Sequence, residues 1–127
     1  MARAIARLAG LLAPLALLPS KPALAERTAV QEVPCQPGPD RQLARDDTLV
    51  TCRLAAPTTL LVGPAAGNGE VACAGGARAE FHRNGYLSFC DPAGGAASYL
   101  TRGRGSTQCR SKARVAFDES GHLEYCS

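Results

Sequence analysis

Six cysteines, at Cys35, Cys52, Cys73, Cys90, Cys109 and Cys126, form three sets with the same internal gap. Sixteen residues lie inside each set, and twenty and eighteen residues lie between the sets. Overlaid, the segments read CQPGPDRQLARDDTLVTC, CAGGARAEFHRNGYLSFC and CRSKARVAFDESGHLEYC. The second and third share Ala-Arg, then Phe, three polar residues, Gly, one residue, Leu, one residue, an aromatic and Cys. The first keeps Leu43 where the others have Phe81 and Phe117, and Leu49 where they have Leu87 and Leu123. The chain therefore carries an internal repeat of 36–38 residues, the length of one supersecondary unit.

The register of the unit follows from which side chains a hairpin brings to one face. With Arg83-Asn84-Gly85 as a three-residue loop, His82 faces Tyr86, Phe81 faces Leu87 and Ala79 faces Phe89. One face then collects Ala79, Phe81, Leu87 and Phe89, and in the third unit Val115, Phe117, Leu123 and Tyr125. The other collects Glu80, His82, Tyr86 and Ser88, or Asp118, His122 and Glu124. A two-residue loop would oppose Phe81 to Ser88, and a one-residue slip turns a whole strand over, so the segregation selects three residues. Such loops end on a left-handed residue, where Gly85 and Gly121 fall, with Asp47 in the first unit. On this register Cys90 and Cys126 point away from the Phe/Leu face.

The linking stretches, 53–72 and 91–108, read as second hairpins. Thr58 to Val62 and Ala97 to Arg102 are short strands followed by Gly-rich turns. The expected fold is all-β, an antiparallel hairpin-repeat meander of roughly ten short strands, stapled by disulfides. Six cysteines allow 15 pairings. The invariant gap favours 35–52, 73–90 and 109–126, while an alternating scheme with 52–73 and 90–109 stays open.

The N-terminus sets the compartment. Arg3 and Arg7 precede an apolar run from Leu8 to Leu18, and Ala23-Leu24-Ala25 supplies small residues for signal peptidase. This order is that of a signal peptide cut after Ala25. The run is too short for a bilayer span, which needs about 20 apolar residues. The division expected is 1–25 signal peptide, 26–34 short N-terminal tail and 35–127 a single repeat domain with units 35–52, 73–90 and 109–126. Secretion or a periplasmic location follows, with all six cysteines oxidised. An Arg-, Ala- and Gly-rich composition points to a GC-rich bacterial genome.

Export also alters the charge. The formal net charge of +3 rests on Arg3, Arg7 and Lys21, so the mature part balances eleven bases against eleven acids. Nucleic-acid binding, which draws on a basic excess, is disfavoured. No Cys-x-x-Cys pair suggests a metal or redox centre, and no cofactor is expected. Asp118, Ser120 and His122 lie in one tight turn, whereas a hydrolytic triad converges from separate elements. Asp46-Asp47 is a turn without the spaced carboxylates of a calcium loop. His82 and His122 fall on the polar face and are expected to be solvated. The one suggestive surface run is Arg102, Arg104, Arg110, Lys112 and Arg114, either a solvated edge that resists aggregation or a contact for an acidic partner.

The Phe-x-x-x-Gly-x-Leu pattern at Phe81, Gly85 and Leu87, and again at Phe117, Gly121 and Leu123, resembles the hairpin repeats of MORN-type and related antitoxin-like bacterial proteins. The period here is longer, and the cysteines have no counterpart there. The resemblance implies a curled hairpin sheet used for binding or spacing, with no catalytic residues. The expected function is a non-enzymatic exported module that binds a protein or an anionic envelope component, or serves structurally. An inhibitor or immunity-type protein presenting the Arg83-Asn84-Gly85 turn to a secreted enzyme is the alternative, and a small hydrolase comes third.

Overall fold

Twelve short strands make up the computed structural model, which describes residues 23–64, 67–103 and 105–127. They fall into three units of four. The first unit comprises β1 (Leu24–Arg27), β2 (Glu32–Cys35), β3 (Gln42–Leu43) and β4 (Leu49–Arg53). The second comprises β5 (Thr58–Leu61), β6 (Glu70–Cys73), β7 (Arg78–Phe81) and β8 (Leu87–Cys90). The third comprises β9 (Ala97–Leu100), β10 (Ser106–Cys109), β11 (Val115–Phe117) and β12 (Leu123–Cys126). The last two strands of each unit join one antiparallel six-stranded sheet in the order β12-β11-β8-β7-β4-β3. The first two form a separate small hairpin, β1–β2, β5–β6 or β9–β10.

The all-β, antiparallel, hairpin-repeat architecture is as the sequence implied, and so is the second hairpin of each unit. Residues 26–34 are not a tail: β1 and β2 pair from Leu24 opposite Cys35 to Arg27 opposite Glu32. That hairpin has the same four-pair ladder ending on a half-cystine as β5–β6, but no cysteine precedes it, so the cysteine spacing did not reveal it. The expected cleavage after Ala25 falls within β1 and leaves the Glu26–Val33 and Arg27–Glu32 pairs. The rest of the segment expected to be a signal peptide, residues 1–22, lies outside the described residues.

The three bridges are Cys35–Cys52, Cys73–Cys90 and Cys109–Cys126, each with a sequence separation of 17. Every bridge ties the end of a small hairpin to the second sheet strand of the same unit. The half-cystines at 35, 52, 73, 90 and 109 are buried, together with Val33, Leu60, Val62 and Val71 from the small hairpins and Leu49, Phe81, Leu87, Val115, Phe117 and Leu123 from the sheet. The half-cystines at 35, 73, 90, 109 and 126 sit at strand ends, and the burial of Cys90, with Cys126 packed against the core, corrects the expectation that these two point away from the Phe/Leu face.

The cause is a β-bulge that recurs in every unit. The three-residue loop is as expected, with the His82 N–H donating to the Tyr86 carbonyl (2.9 Å) and Phe81 opposite Leu87. Then the register shifts, so that Glu80 rather than Ala79 opposes Phe89 and Ser88 is the extra residue. The same shift makes Val50 extra in β4 and Glu124 extra in β12. One inserted residue inverts the alternation beyond it. Phe89 and Tyr125 are thereby turned off the core face and the cysteines onto it. Tyr125 ends 55% exposed. Phe89 lies beneath the Arg114 guanidinium, 4.7 Å from the ring centroid.

The units are clasped by two side-chain amides. Gln31 Oε1 accepts the Leu61 N–H (2.7 Å), and its Nε2 donates to the Leu61 and Gly85 carbonyls (3.1 Å each). Asn68 repeats the motif one unit on, with the Leu100 N–H and carbonyl and the Gly121 carbonyl. Each clasp thus mimics a strand residue and ties the tip of one small hairpin to the next unit. Gly121 also abuts Gly63 backbone to backbone, where a Cβ would come within 2.8 Å of the Gly63 Cα.

The loop-closing position is left-handed in all three sheet hairpins: φ is 94° at Gly85, 90° at Gly121 and 68° at Asp47. Asp47 pays a Cβ–carbonyl clash there that Gly avoids. Asp47→Gly should raise stability by about 0.5–1 kcal/mol despite the looser unfolded chain. An upward shift of the urea midpoint checks this.

Candidate functional site

The clasps and bulges set the three sheet-hairpin turns side by side along one end of the sheet: Arg45-Asp46-Asp47, Arg83-Asn84-Gly85 and Glu119-Ser120-Gly121. Each turn is closed from within. Asp46 takes the Thr48 N–H and hydroxyl, Asn84 takes the Tyr86 N–H, and Asp118 takes the Ser120 and His122 N–H groups. Short polar side chains suit this work because they reach their own backbone two residues on.

The second and third turns are also bonded to each other. His82 Nε2 lies 2.8 Å from the Phe117 carbonyl, and Asn84 Nδ2 donates to the Glu119 carbonyl at 3.0 Å. A carbonyl only accepts, so Nε2 carries the proton. His82 is therefore a half-buried bridging group and not a solvated one. The first and second turns have no such bridge. In the repeat alignment Ala44 stands where His82 does, and Asp46 where Asn84 does. Neither can donate a hydrogen bond to the matching carbonyls of Phe81 and Arg83.

A cleft of about 530 Å³ opens at this junction, lined by Arg45, Asp46, Thr48, Phe81, His82 and Arg83 among others. Its floor is apolar, from Leu49 and Phe81, both buried. Its rim carries two guanidiniums, Arg45 and Arg83, neither of which forms an ion pair among the described residues. The Thr48 hydroxyl and N–H, aided by the positive field of Arg83, hold the Asp46 carboxyl below the usual carboxylate range. Sequence reading took Asp46 only as a turn former and missed the cleft. The available signal was the mismatch of alignment columns, Ala44 against His82 and Asp46 against Asn84.

Among the described residues, the cations of the run 102–114 have different partners. Arg102 bonds Asp118 (2.8 Å) at the turn end of the sheet. Arg114 bonds Asp91 (2.9 Å) and covers Phe89. Arg110 and Lys112 are exposed beyond β10, a four-residue strand spanning about 13 Å, and Arg104 lies outside the described residues. Of the turn Arg83-Asn84-Gly85, Arg83 and Asn84 are exposed, whereas Gly85 is buried against Ala29 and Val30.

Asp118, Ser120 and His122 are committed to the turn. Asp118 Oδ1 accepts both backbone N–H groups and Oδ2 accepts Arg102, so the carboxylate does not orient the imidazole. His122 Nδ1 is buried without a hydrogen-bond partner. Burial by itself raises the Asp118 carboxyl, but the His122 and Ser120 N–H groups and Arg102 outweigh it and leave it below its ordinary value. A carboxyl depressed on folding stabilises above its unfolded value, near 3.9, and that support is lost as pH falls through the folded value. Melting temperature should thus drop below about pH 4, and Asp118→Asn should flatten the drop while lowering the neutral-pH value. Thermal melts of both proteins from pH 7 to 2 test this, with the two curves converging in acid.

Among the described residues no three His, Cys, Asp or Glu side chains gather as a metal site, and no helix is long and apolar enough to cross a membrane. Compared with protein-family models, curated proteins and solved structures, the chain matches none.

Proposed function

We propose that the mature chain is an exported, non-enzymatic binding module that engages a protein or an anionic envelope component through its row of sheet-hairpin turns. The observation that carries this reading is the cleft between the first two turns, an apolar floor with two guanidiniums on its rim that form no ion pair among the described residues. Recognition surfaces are built from loops held by a rigid scaffold, and repeat arrays present them in rows. The clasps at Gln31 and Asn68 and the three bridges supply that rigidity. Three disulfides are compatible with an oxidising compartment, and the signal-like N-terminus supports export into one. The likeness to MORN-type hairpin repeats points the same way.

The test is crosslinking of oxidised residues 26–127 in the producing cell's envelope fraction, with the reduced chain as control. A stoichiometric complex formed only by the oxidised chain is the expected result. Equal labelling by both forms, or none above background, overturns the reading.

A further inference from the structure

We propose that the cleft between the turns 45–47 and 83–85 is a binding site for a short acidic peptide segment. The inference rests on the binding-module reading and names its ligand class.

The repeat supplies an internal control. At the junction of the second and third turns, two donors of the protein itself, His82 Nε2 and Asn84 Nδ2, satisfy the carbonyls of Phe117 and Glu119. At the junction of the first and second turns the matching residues are Ala44, which has no polar atom, and Asp46, whose carboxylate only accepts. The matching carbonyls belong to Phe81 and Arg83, two residues that line the cleft. A ligand that replaces the missing bridge must bring N–H donors. It must also suit the rim, where Arg45 and Arg83 offer forked guanidiniums that match carboxylates two bonds at a time. Asp46 offsets part of that charge, and its Oδ1 is already engaged by the Thr48 N–H and hydroxyl.

Peptide amides next to Asp or Glu side chains meet both requirements at once. Inorganic phosphate satisfies the guanidiniums but brings no amide donors. A neutral peptide satisfies the carbonyls but leaves the cations unpaired. The apolar floor of Leu49 and Phe81 accepts a small aliphatic side chain between the acids.

The experiment is fluorescence anisotropy on the oxidised mature protein with labelled tetrapeptide pools. One pool combines Asp and Glu with Ala, and a second replaces the acids with Asn and Gln. Inorganic phosphate and citrate serve as competitors. The acidic pool should bind, the amide pool should bind at least about tenfold more weakly, and raised salt should weaken the acidic pool. Two variants attack the site differently. Arg45→Gln/Arg83→Gln removes the cations and leaves the cleft open. Ala44→His/Asp46→Asn rebuilds the His82–Asn84 bridge and fills the cleft while keeping both arginines. Each should weaken acidic-pool binding about tenfold or more, whereas Arg110→Gln/Lys112→Gln, two cations removed elsewhere, should change it by less than about twofold. Unreactive thiols and an unchanged far-UV spectrum verify the fold of each variant.

Equal binding of the two pools overturns the proposal, as does full binding by the refilled variant. Phosphate or citrate displacing the pool at equal concentration, with the same loss in both variants, reduces the cleft to an anion site and overturns the peptide assignment. If the envelope complex forms with the oxidised chain and survives both variants, the module reading stands and the cleft assignment falls. If neither the complex nor pool binding appears, both fall.

Discussion

Reduction of the three disulfides should unfold this protein at room temperature. Each bridge closes a loop of about 18 residues, which contributes roughly 3 kcal/mol in the chain-entropy description. Three such contributions are comparable with the whole net stability of a typical domain, about 5–15 kcal/mol. The core has little in reserve, because much of the apolar composition is alanine, with three Phe and no Trp. Moreover, each bridge ties a two-stranded hairpin to the sheet, and an isolated two-stranded hairpin is marginal in water. Far-UV circular dichroism through a urea titration, with and without reductant, is the measurement. The reduced chain should show no cooperative transition. Replacing one pair, Cys73→Ala/Cys90→Ala, should lower stability by about 3 kcal/mol or somewhat more, since both sulfurs are buried and their removal also leaves a cavity. A reduced protein with the oxidised midpoint would show that packing alone holds the hairpins.

Phe117→Ala should cost about 3–5 kcal/mol, the range for a buried aromatic cut to alanine. Its ring is fully buried and meets Tyr99 edge-on at 5.6 Å between centroids, so truncation empties the core and also strips Tyr99 of its partner. Phe89→Ala should cost only about 1–2 kcal/mol, because that ring is half-buried on the far face, between the guanidiniums of Arg78 and Arg114. The pair is diagnostic. Without the bulge, both rings would share one core face and the two substitutions would cost alike. Denaturant midpoints of the two variants decide, and a Phe89→Ala loss matching that of Phe117→Ala would contradict the register.

The candidate site was less legible than the fold. Arg45, Asp46 and Arg83 are ordinary turn residues one at a time. They become a cleft only because β4 pairs with β7 and sets the first two turns side by side. The overlay of repeats already held the deciding difference, but it carried no information on which turns are neighbours. The cations of the run 102–114 are held by different partners, Arg102 by Asp118 and Arg114 by Asp91.

What the chain by itself determined was the local grammar: three units, two hairpins in each later unit, a three-residue loop closed by a left-handed residue, and an equal cysteine spacing that favoured the observed pairing while leaving an alternating one open. These rest on interactions within about twenty residues, so periodicity and turn chemistry suffice to specify them. The tertiary structure decided which face each side chain occupies beyond Leu87 and its counterparts. Ser88, Val50 and Glu124 look like any alternating strand residue, and nothing local marks them as extra. The bulge forms because it places the half-cystine in the core, where its partner at the end of the small hairpin is also buried. That advantage exists only when sheet and hairpin have come together, so the pattern of side chains along one strand could not announce it.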